Sequence, residues 1–245
     1  MSSPTTPVVQ ETVRSAATDL VDLVLPPGIA TMAVFDDPPH ATLLAAEVEA
    51  LGKVVEKRRR EYTTVRHCAR IALRKLGRPP TPLVPGLFGA PLWPPGVVGS
   101  MSHCEGYRVA AVASTDVMVT IGVDAEPNRP LPDRTLEVIA DAEERLMLEE
   151  LALRSTDACW DRVLFSAKES VYKAWFPLTQ SWLGFDEAHL TIEPADGTFH
   201  ARLLVPGPLV GADRLTGFSG RWTVSNGLVV TAIALPRHAP GTRLQ

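Results

Sequence analysis

Two short segments carry three carboxylates and two lysines in otherwise apolar surroundings: Ile121-Gly122-Val123-Asp124-Ala125-Glu126 and Phe165-Ser166-Ala167-Lys168-Glu169-Ser170-Val171-Tyr172-Lys173-Ala174-Trp175. Oxygen ligands of this kind suit a hard divalent cation, and magnesium commonly takes one or two carboxylates together with phosphate oxygens and water. Asp124 and Glu126 stand two apart at the end of an apolar run. On a strand they share one face, where they repel each other unless a cation lies between them. A solvated strand end before Pro127 is the other reading. Ser166 and Glu169 have the spacing of a capping box, and Glu169 precedes Lys173 by four, the favourable order for a helix ion pair. The chemical reading instead puts Glu169 on a metal or on the proton of an incoming hydroxyl, and Lys173 on a phosphate oxygen. The pattern alone leaves both open.

A basic run, Lys57-Arg58-Arg59-Arg60, continues into Arg66, Arg70 and Arg74 along one helix. Guanidinium forks grip phosphate oxygens in pairs, although a solvated face also explains such a run. Ser102 and His103 end another apolar stretch, where a histidine is either structural or a donor to phosphate. The chain has no P-loop, no G-x-G-x-x-G and no G-x-S-x-G nucleophile turn, since His103 stands where the last glycine would be required.

The elements that must position these groups follow from periodicity. Residues 41–76 read as helical, with Tyr62, Val65, Ala69, Ala72 and Leu76 as an apolar stripe that stops at Gly77. Residues 78–96 are a Pro- and Gly-rich loop. Strands are expected at 97–102, 107–113 and 117–126, then a helix over 134–153 and another over 166–175. Strands at 188–192, 199–205, 221–225 and 228–235 close the chain, the last two around the hairpin signal Asn226-Gly227. Helix, irregular linker and hairpin thus occur twice. The expected fold class is α+β, as two similar α+β lobes (a pseudo-dimer) with the active site at their interface. The expected divisions are a flexible tail over 1–18, an N-terminal lobe over 19–119 and a C-terminal lobe over 120–245. One continuous α+β domain is the alternative.

The 245 residues are 45% hydrophobic and carry a net charge of −4, which suits a globular protein and argues against broad nucleic-acid binding. Cys68, Cys104 and Cys159 form neither a disulfide framework nor a zinc pattern, so a cytoplasmic setting is expected. No apolar run approaches the ~20 residues of a membrane span, and the first residues lack the pattern of a secretory signal.

Taken together, residues 54–235 resemble the 4'-phosphopantetheinyl transferases, specifically the larger two-lobed type associated with siderophore, lipopeptide and polyketide synthases. Four motifs in order carry the likeness. They are Lys57-Arg58-Arg59-Arg60-Glu61-Tyr62 with Arg66-His67-Cys68-Ala69-Arg70, then Val98-Gly99-Ser100-Met101-Ser102-His103-Cys104, Ile121 to Glu126, and Trp160 to Trp175.

The resemblance implies transfer of the 4'-phosphopantetheine group of coenzyme A to a serine hydroxyl of apo acyl and peptidyl carrier proteins, releasing adenosine 3',5'-bisphosphate. It implies Mg2+, with Mn2+ the alternative, held by Asp124, Glu126, Glu169 and the Ala125 carbonyl. Glu169 is implied as the catalytic base and Lys173 as the catalytic cation on the attacked phosphoryl group. Coenzyme A would be bound by Arg58, Arg66, Phe88, Ser102, His103, Asp124, Glu169, Lys173 and Leu183, with Leu183 in the pantetheine channel and Lys168 as a further helper. Many relatives carry a lysine in the loop that here reads Pro85-Gly86-Leu87-Phe88-Gly89, so nucleotide grip shifts to Arg58 and Arg66. Two fused halves sharing one site predict a monomer. Another metal-dependent nucleotide phosphotransferase or phosphodiesterase, and a basic-helix binding module, are the competing readings.

Overall fold

The computed structural model describes residues 19–237, so the expected tail over 1–18 lies outside the described residues. The elements run α1 (Leu20–Val24), β1 (Ala30–Val34), α2 (Ala45–Leu51), α3 (Glu56–Lys75), β2 (Val97–Cys104), β3 (Tyr107–Ser114) and β4 (Met118–Pro127). They continue with α4 (Thr135–Ile139), α5 (Ala142–Arg154), α6 (Trp160–Thr179), β5 (Ala188–Glu193), β6 (Thr198–Leu203), β7 (Leu209–Val210), β8 (Asp213–Arg214), β9 (Gly217–Ser225) and β10 (Leu228–Pro236). The chain is therefore a mixed α+β protein.

All strand pairs are antiparallel. One sheet has the order β1-β3-β2, a second has β4-β10-β9-β6-β5, and β7 and β8 form a small ribbon. The twenty-residue helix α3 lays Cys68, Ala69, Ala72 and Leu73 against Val97, Ala110 and Val112 of the first sheet. The equally long α6 buries Val163, Leu164, Ala167, Val171 and Ala174 on the second. A third apolar cluster joins the sheets, with Tyr107 and Val109 of one meeting Ile121, Val123 and Val230 of the other above Leu20, Val21 and Val24.

Turn chemistry sets the hairpins. Asn226 and Gly227 both have positive φ, 53° and 72°, the backbone that a two-residue hairpin turn demands. The helices differ from expectation in three places. The helix over 41–76 is broken between α2 and α3, where Gly52 takes a positive φ of 61° that ends the first piece. The helix over 134–153 is broken before Asp141, whose side chain accepts from the Glu144 amide while Glu144 returns to the Asp141 amide. The helix over 166–175 begins at Trp160 and runs to Thr179, through Pro177. Ser166 is therefore not its cap, because its hydroxyl meets Thr231 Oγ1 at 3.0 Å across the sheet. Strand β1 was not expected; its residues are all half-buried, with no alternation to reveal it.

Two devices fix the geometry near the motifs. Between β2 and β4, serine hydroxyls replace a backbone ladder: the Val123 amide donates to Ser100 Oγ at 2.9 Å and the Ala125 amide to Ser102 Oγ at 3.3 Å. On the other side of β4, Gly122 lets α6 lie almost on the strand. A Cβ there would stand 2.0 Å from the Ser170 carbonyl oxygen and 2.9 Å from the Ala174 amide nitrogen, both rigid helix backbone. We expect Gly122→Ala to force α6 outward and lower stability by roughly 1–3 kcal/mol or more, as overpacked cores do. Urea unfolding measures this, and a midpoint equal to the parent's would refute the close approach.

Candidate active site

The site is built along that seam. In the β4–β10 register Asp124 lies opposite Thr231, which itself bonds to Ser166 and Ser170 of α6, so Gly122, Asp124 and Glu126 share the helix-facing side of β4. This confirms the common face expected for the two carboxylates. Helix α6 presents Arg162, Glu169, Ser170 and Lys173 toward it.

Asp124 is buried, at 4% exposure. Its Oδ1 accepts from Lys173 Nζ at 2.7 Å and from Ser102 Oγ at 2.9 Å. Lys173 also donates to Ser102 Oγ and to the Val123 carbonyl, both at 3.1 Å. Lys173 thus pairs with Asp124 across the seam, in place of the helix pair with Glu169 that the spacing allowed. Asp124 Oδ2 is buried with no hydrogen-bond partner. A buried acceptor left bare on a charged group is expensive, and a hard cation would satisfy it. Glu126 accepts from Arg162 Nη1 at 3.0 Å, and burial with the neighbouring Asp124 charge pushes its carboxyl up to about 7. Burial also raises the Glu169 carboxyl above the ordinary value, against the pull of Lys173. These residues fit a divalent cation chemically: one orphaned anionic oxygen, and two further carboxyls held above their usual proton affinity. Asp124, Glu126 and Glu169 do not all converge within 4.8 Å. Among the described residues the one acidic or histidine group that does is Asp141, Glu144 and His189, where Glu144 is already saturated by Lys168, the Leu190 amide and the Asp141 amide. Ala125 is wholly buried, beside the Ser102 hydroxyl.

Two adjoining cavities open beside Lys173. The first, about 410 Å³, is lined by Arg58, Tyr62, Arg66, Ser102 and His103. Arg58 Nη1 donates to His103 Nε2 at 2.7 Å, and burial lowers the His103 pKa, consistent with a neutral acceptor ring. Arg66 is 5% exposed, bonded through Nε to the Leu83 carbonyl and stacked on the Tyr62 ring. Burial lowers its pKa to about 10. No carboxylate of the described residues pairs with it, whereas Arg70 pairs with Glu47, and Arg60 with Asp37 and Glu56. The basic run is therefore no uniform patch.

The second cavity, about 310 Å³, is lined by Phe88, Trp93, Glu169, Tyr172, Lys173 and Phe176. Phe88 adopts a positive φ of 51° and meets Phe176 and Trp182 edge-on at 5.9 and 6.4 Å. Leu183 is buried in a smaller pocket, where Glu169 and Tyr172 also form the wall. Lys168 points away from the seam: it is buried against Glu144 at 2.8 Å and the Phe185 and Ala188 carbonyls, which makes it a structural tie and not a helper in the cleft. Sequence reasoning passed over Arg162 and the aromatic wall of Tyr172 and Trp182. Arg162 falls inside the Trp160 to Trp175 segment, but nothing there marked its role, because its partners Glu126, Arg129 and Pro130 come from the preceding strand and loop.

Comparison with known proteins agrees with this geometry. The family model described as the 4'-phosphopantetheinyl transferase N-terminal domain matches residues 46–113, and that of the 4'-phosphopantetheinyl transferase superfamily matches 120–223. The chain is 53% identical over 219 residues to 4'-phosphopantetheinyl transferase Svp of Streptomyces mobaraensis, covering 88% of this chain and 89% of that protein. It is 47% identical to 4'-phosphopantetheinyl transferase PptT of Mycobacterium tuberculosis over 82% of this chain and 90% of the relative. With 4'-phosphopantetheinyl transferase Npt of Nocardia iowensis it shares 45% identity over 88% and 99%.

The electrostatics of Glu126 predict a pH dependence for the metal-free protein. Its folded pKa, about 7, lies above that of an unfolded glutamate, so the folded state binds the extra proton. Stability from this group is then greatest below about pH 4 and declines as pH rises through 7, by at most on the order of 3–4 kcal/mol. Thermal melts of the parent and Glu126→Gln between those limits should diverge accordingly; parallel curves would refute the raised pKa.

Proposed function

The chain belongs to the 4'-phosphopantetheinyl transferase superfamily and is an enzyme of that class, and from this premise we propose that it moves the phosphopantetheine arm of coenzyme A onto a serine of apo acyl and peptidyl carrier proteins, with adenosine 3',5'-bisphosphate as the second product. The observation that carries the reading is the bare, buried oxygen of Asp124, whose other oxygen is held by Ser102 and by Lys173, which borders two cavities of complementary chemistry. One cavity offers two guanidinium groups to a phosphate, and the other offers aromatic walls to a neutral chain.

Asp124 and Glu126, with Glu169 and the Ala125 carbonyl, would hold Mg2+ or Mn2+. A divalent ion there would neutralise pyrophosphate charge and help the leaving group depart. Arg66, without a carboxylate partner, supplies a positive charge for the 3'-phosphate, beside Arg58 and His103. Ser102 holds Lys173 and Asp124 in register and borders the same cavity. Lys173 sits where negative charge grows on the attacked phosphoryl group. Glu169, with its proton affinity raised by burial, takes the proton of the serine hydroxyl. The serine oxygen forms the new P–O bond as the bond to adenosine bisphosphate breaks. Phe88 packs toward the adenine and Leu183 borders the pantetheine.

The two sheets, each with its own long helix, support the reading of two similar α+β lobes over 19–119 and 120–245 with the site at their seam. A site completed within one chain supports a monomer. No helix among the described residues is long and apolar enough to cross a membrane, and a cytoplasmic setting is part of the proposal, as is the absence of a nucleic-acid partner.

Intact-mass spectrometry of an apo carrier incubated with this protein, coenzyme A and Mg2+ should show the carrier gaining one phosphopantetheine, and EDTA should prevent the gain. Asp124→Asn should slow transfer by roughly two orders of magnitude or more while the protein stays folded. Full transfer by folded Asp124→Asn, or in EDTA, would overturn the metal assignment. Cleavage of coenzyme A with no carrier modified would overturn the transferase reading.

A further inference from the structure

A second cation of α6 holds the second carboxylate of β4. Arg162 is buried, at 9% exposure, and three of its donors have fixed targets. Nη1 donates to Glu126 Oε2 at 3.0 Å, Nε to the Arg129 carbonyl at 2.9 Å and Nη2 to the Pro130 carbonyl at 2.9 Å. A guanidinium presents its donors in a rigid plane, so three such bonds leave it one orientation. The frame under it is also pinned: the Cys159 amide donates to Asn128 Oδ1 and the Leu131 amide to Asp161 Oδ2, each at 2.8 Å. The loop after β4 and the first turn of α6 are thereby one unit, with Glu126 held at its edge. Arg162 engages Oε2 of Glu126; Oε1 takes no hydrogen bond from a described residue.

We propose that Arg162 is a positioning residue for the divalent cation, fixing one oxygen of Glu126 so that the other is presented to the ion. The proposal rests on reading Glu126 as a ligand. Arg162 itself touches neither the ion nor substrate. Two physical effects of Arg162 have opposite signs. As a charge it repels a cation, so removing it would tighten binding by Coulomb's law alone. As an anchor it keeps a ligand in place, and loss of such a supporting contact typically weakens metal affinity about 10–100-fold. The geometry favours the anchor, because the fork is locked by two backbone carbonyls independent of Glu126.

The sign decides, and it can be read without catalysis. Mn2+ binding to the full chain is titrated by electron paramagnetic resonance, with no coenzyme A or carrier present, and circular dichroism verifies folding. Arg162→Met should weaken Mn2+ by about tenfold or more. In a Glu126→Gln background the same change should add less than a factor of two, because the anchor then has nothing to hold. Arg162→Lys keeps the charge without the fork and should still weaken binding several-fold; it carries the test if Arg162→Met does not fold. Equal or tighter binding in folded Arg162→Met or Arg162→Lys, or an equal loss in the Glu126→Gln background, would overturn the proposal while leaving the cation site intact. If Asp124→Asn and Glu126→Gln both bind Mn2+ as the parent does, the ligand reading itself falls and the proposal with it.

Discussion

The distance between β4 and α6 is the constraint on which the rest depends. Gly122 removes the side chain that would hold the helix off, and the helix backbone at Ser170 closes onto the strand. Only at that separation can Lys173, on a helix, reach the strand carboxylate of Asp124 at 2.7 Å and the Val123 carbonyl at 3.1 Å. The hydroxyls of Ser166, Ser170 and Thr231 tie the same interface from the β10 side, with Thr231 Oγ1 donating to the Ser166 carbonyl at 2.9 Å. Small residues and short hydroxyls set the seam, and the charged groups inherit their positions from it.

The seam concentrates charge in a dry place, where unpaired groups are costly. Helix cations answer the strand anions one to one, Lys173 to Asp124 and Arg162 to Glu126. The match is incomplete on both sides of Lys173. Asp124 keeps one buried oxygen without a donor, and Arg66 keeps a buried positive charge without a carboxylate. An isolated cation would complete the first and a phosphate the second. A single ligand that brings both, a phosphorylated nucleotide with a divalent ion, would satisfy the two deficits at once. That electrostatic incompleteness is what distinguishes this seam from the saturated cluster around Glu144, which has every oxygen engaged and a lysine buried against it.

What the sequence disclosed follows the range of the forces involved. The closing hairpin was legible because Asn226-Gly227 acts within two residues, and both do take positive φ. The shared face of Asp124 and Glu126 was legible because strand alternation is local. The start of α6 was not. Ser166 and Glu169 imitate a cap, but Thr231, sixty-five residues away, claims the serine hydroxyl, and a tertiary bond overrode the local signal. The breaks at Gly52 and Asp141 were passed over, although a glycine at positive φ ends α2 and an Asp–Glu capping box starts α5. Arg162 was invisible for a related reason: its partners Glu126, Arg129 and Pro130 come from the preceding strand and loop, and no short pattern links them.

The β2–β4 junction shows why the site lies where two sheets meet. A continuous ladder would have satisfied the Val123 and Ala125 amides with strand carbonyls and left no side chain between them. Here serine hydroxyls do that work, and a hydroxyl can turn one bond toward the backbone and another toward a carboxylate. Ser102 accepts from the Ala125 amide and from Lys173 while donating to Asp124. Replacing a ladder by serines thus converts a structural joint into a polar one, and it fixes Asp124 from the first sheet as Lys173 fixes it from helix α6. Strand β4 carries the carboxylate but does not orient it alone; its position is a property of the junction between β2, β4 and α6.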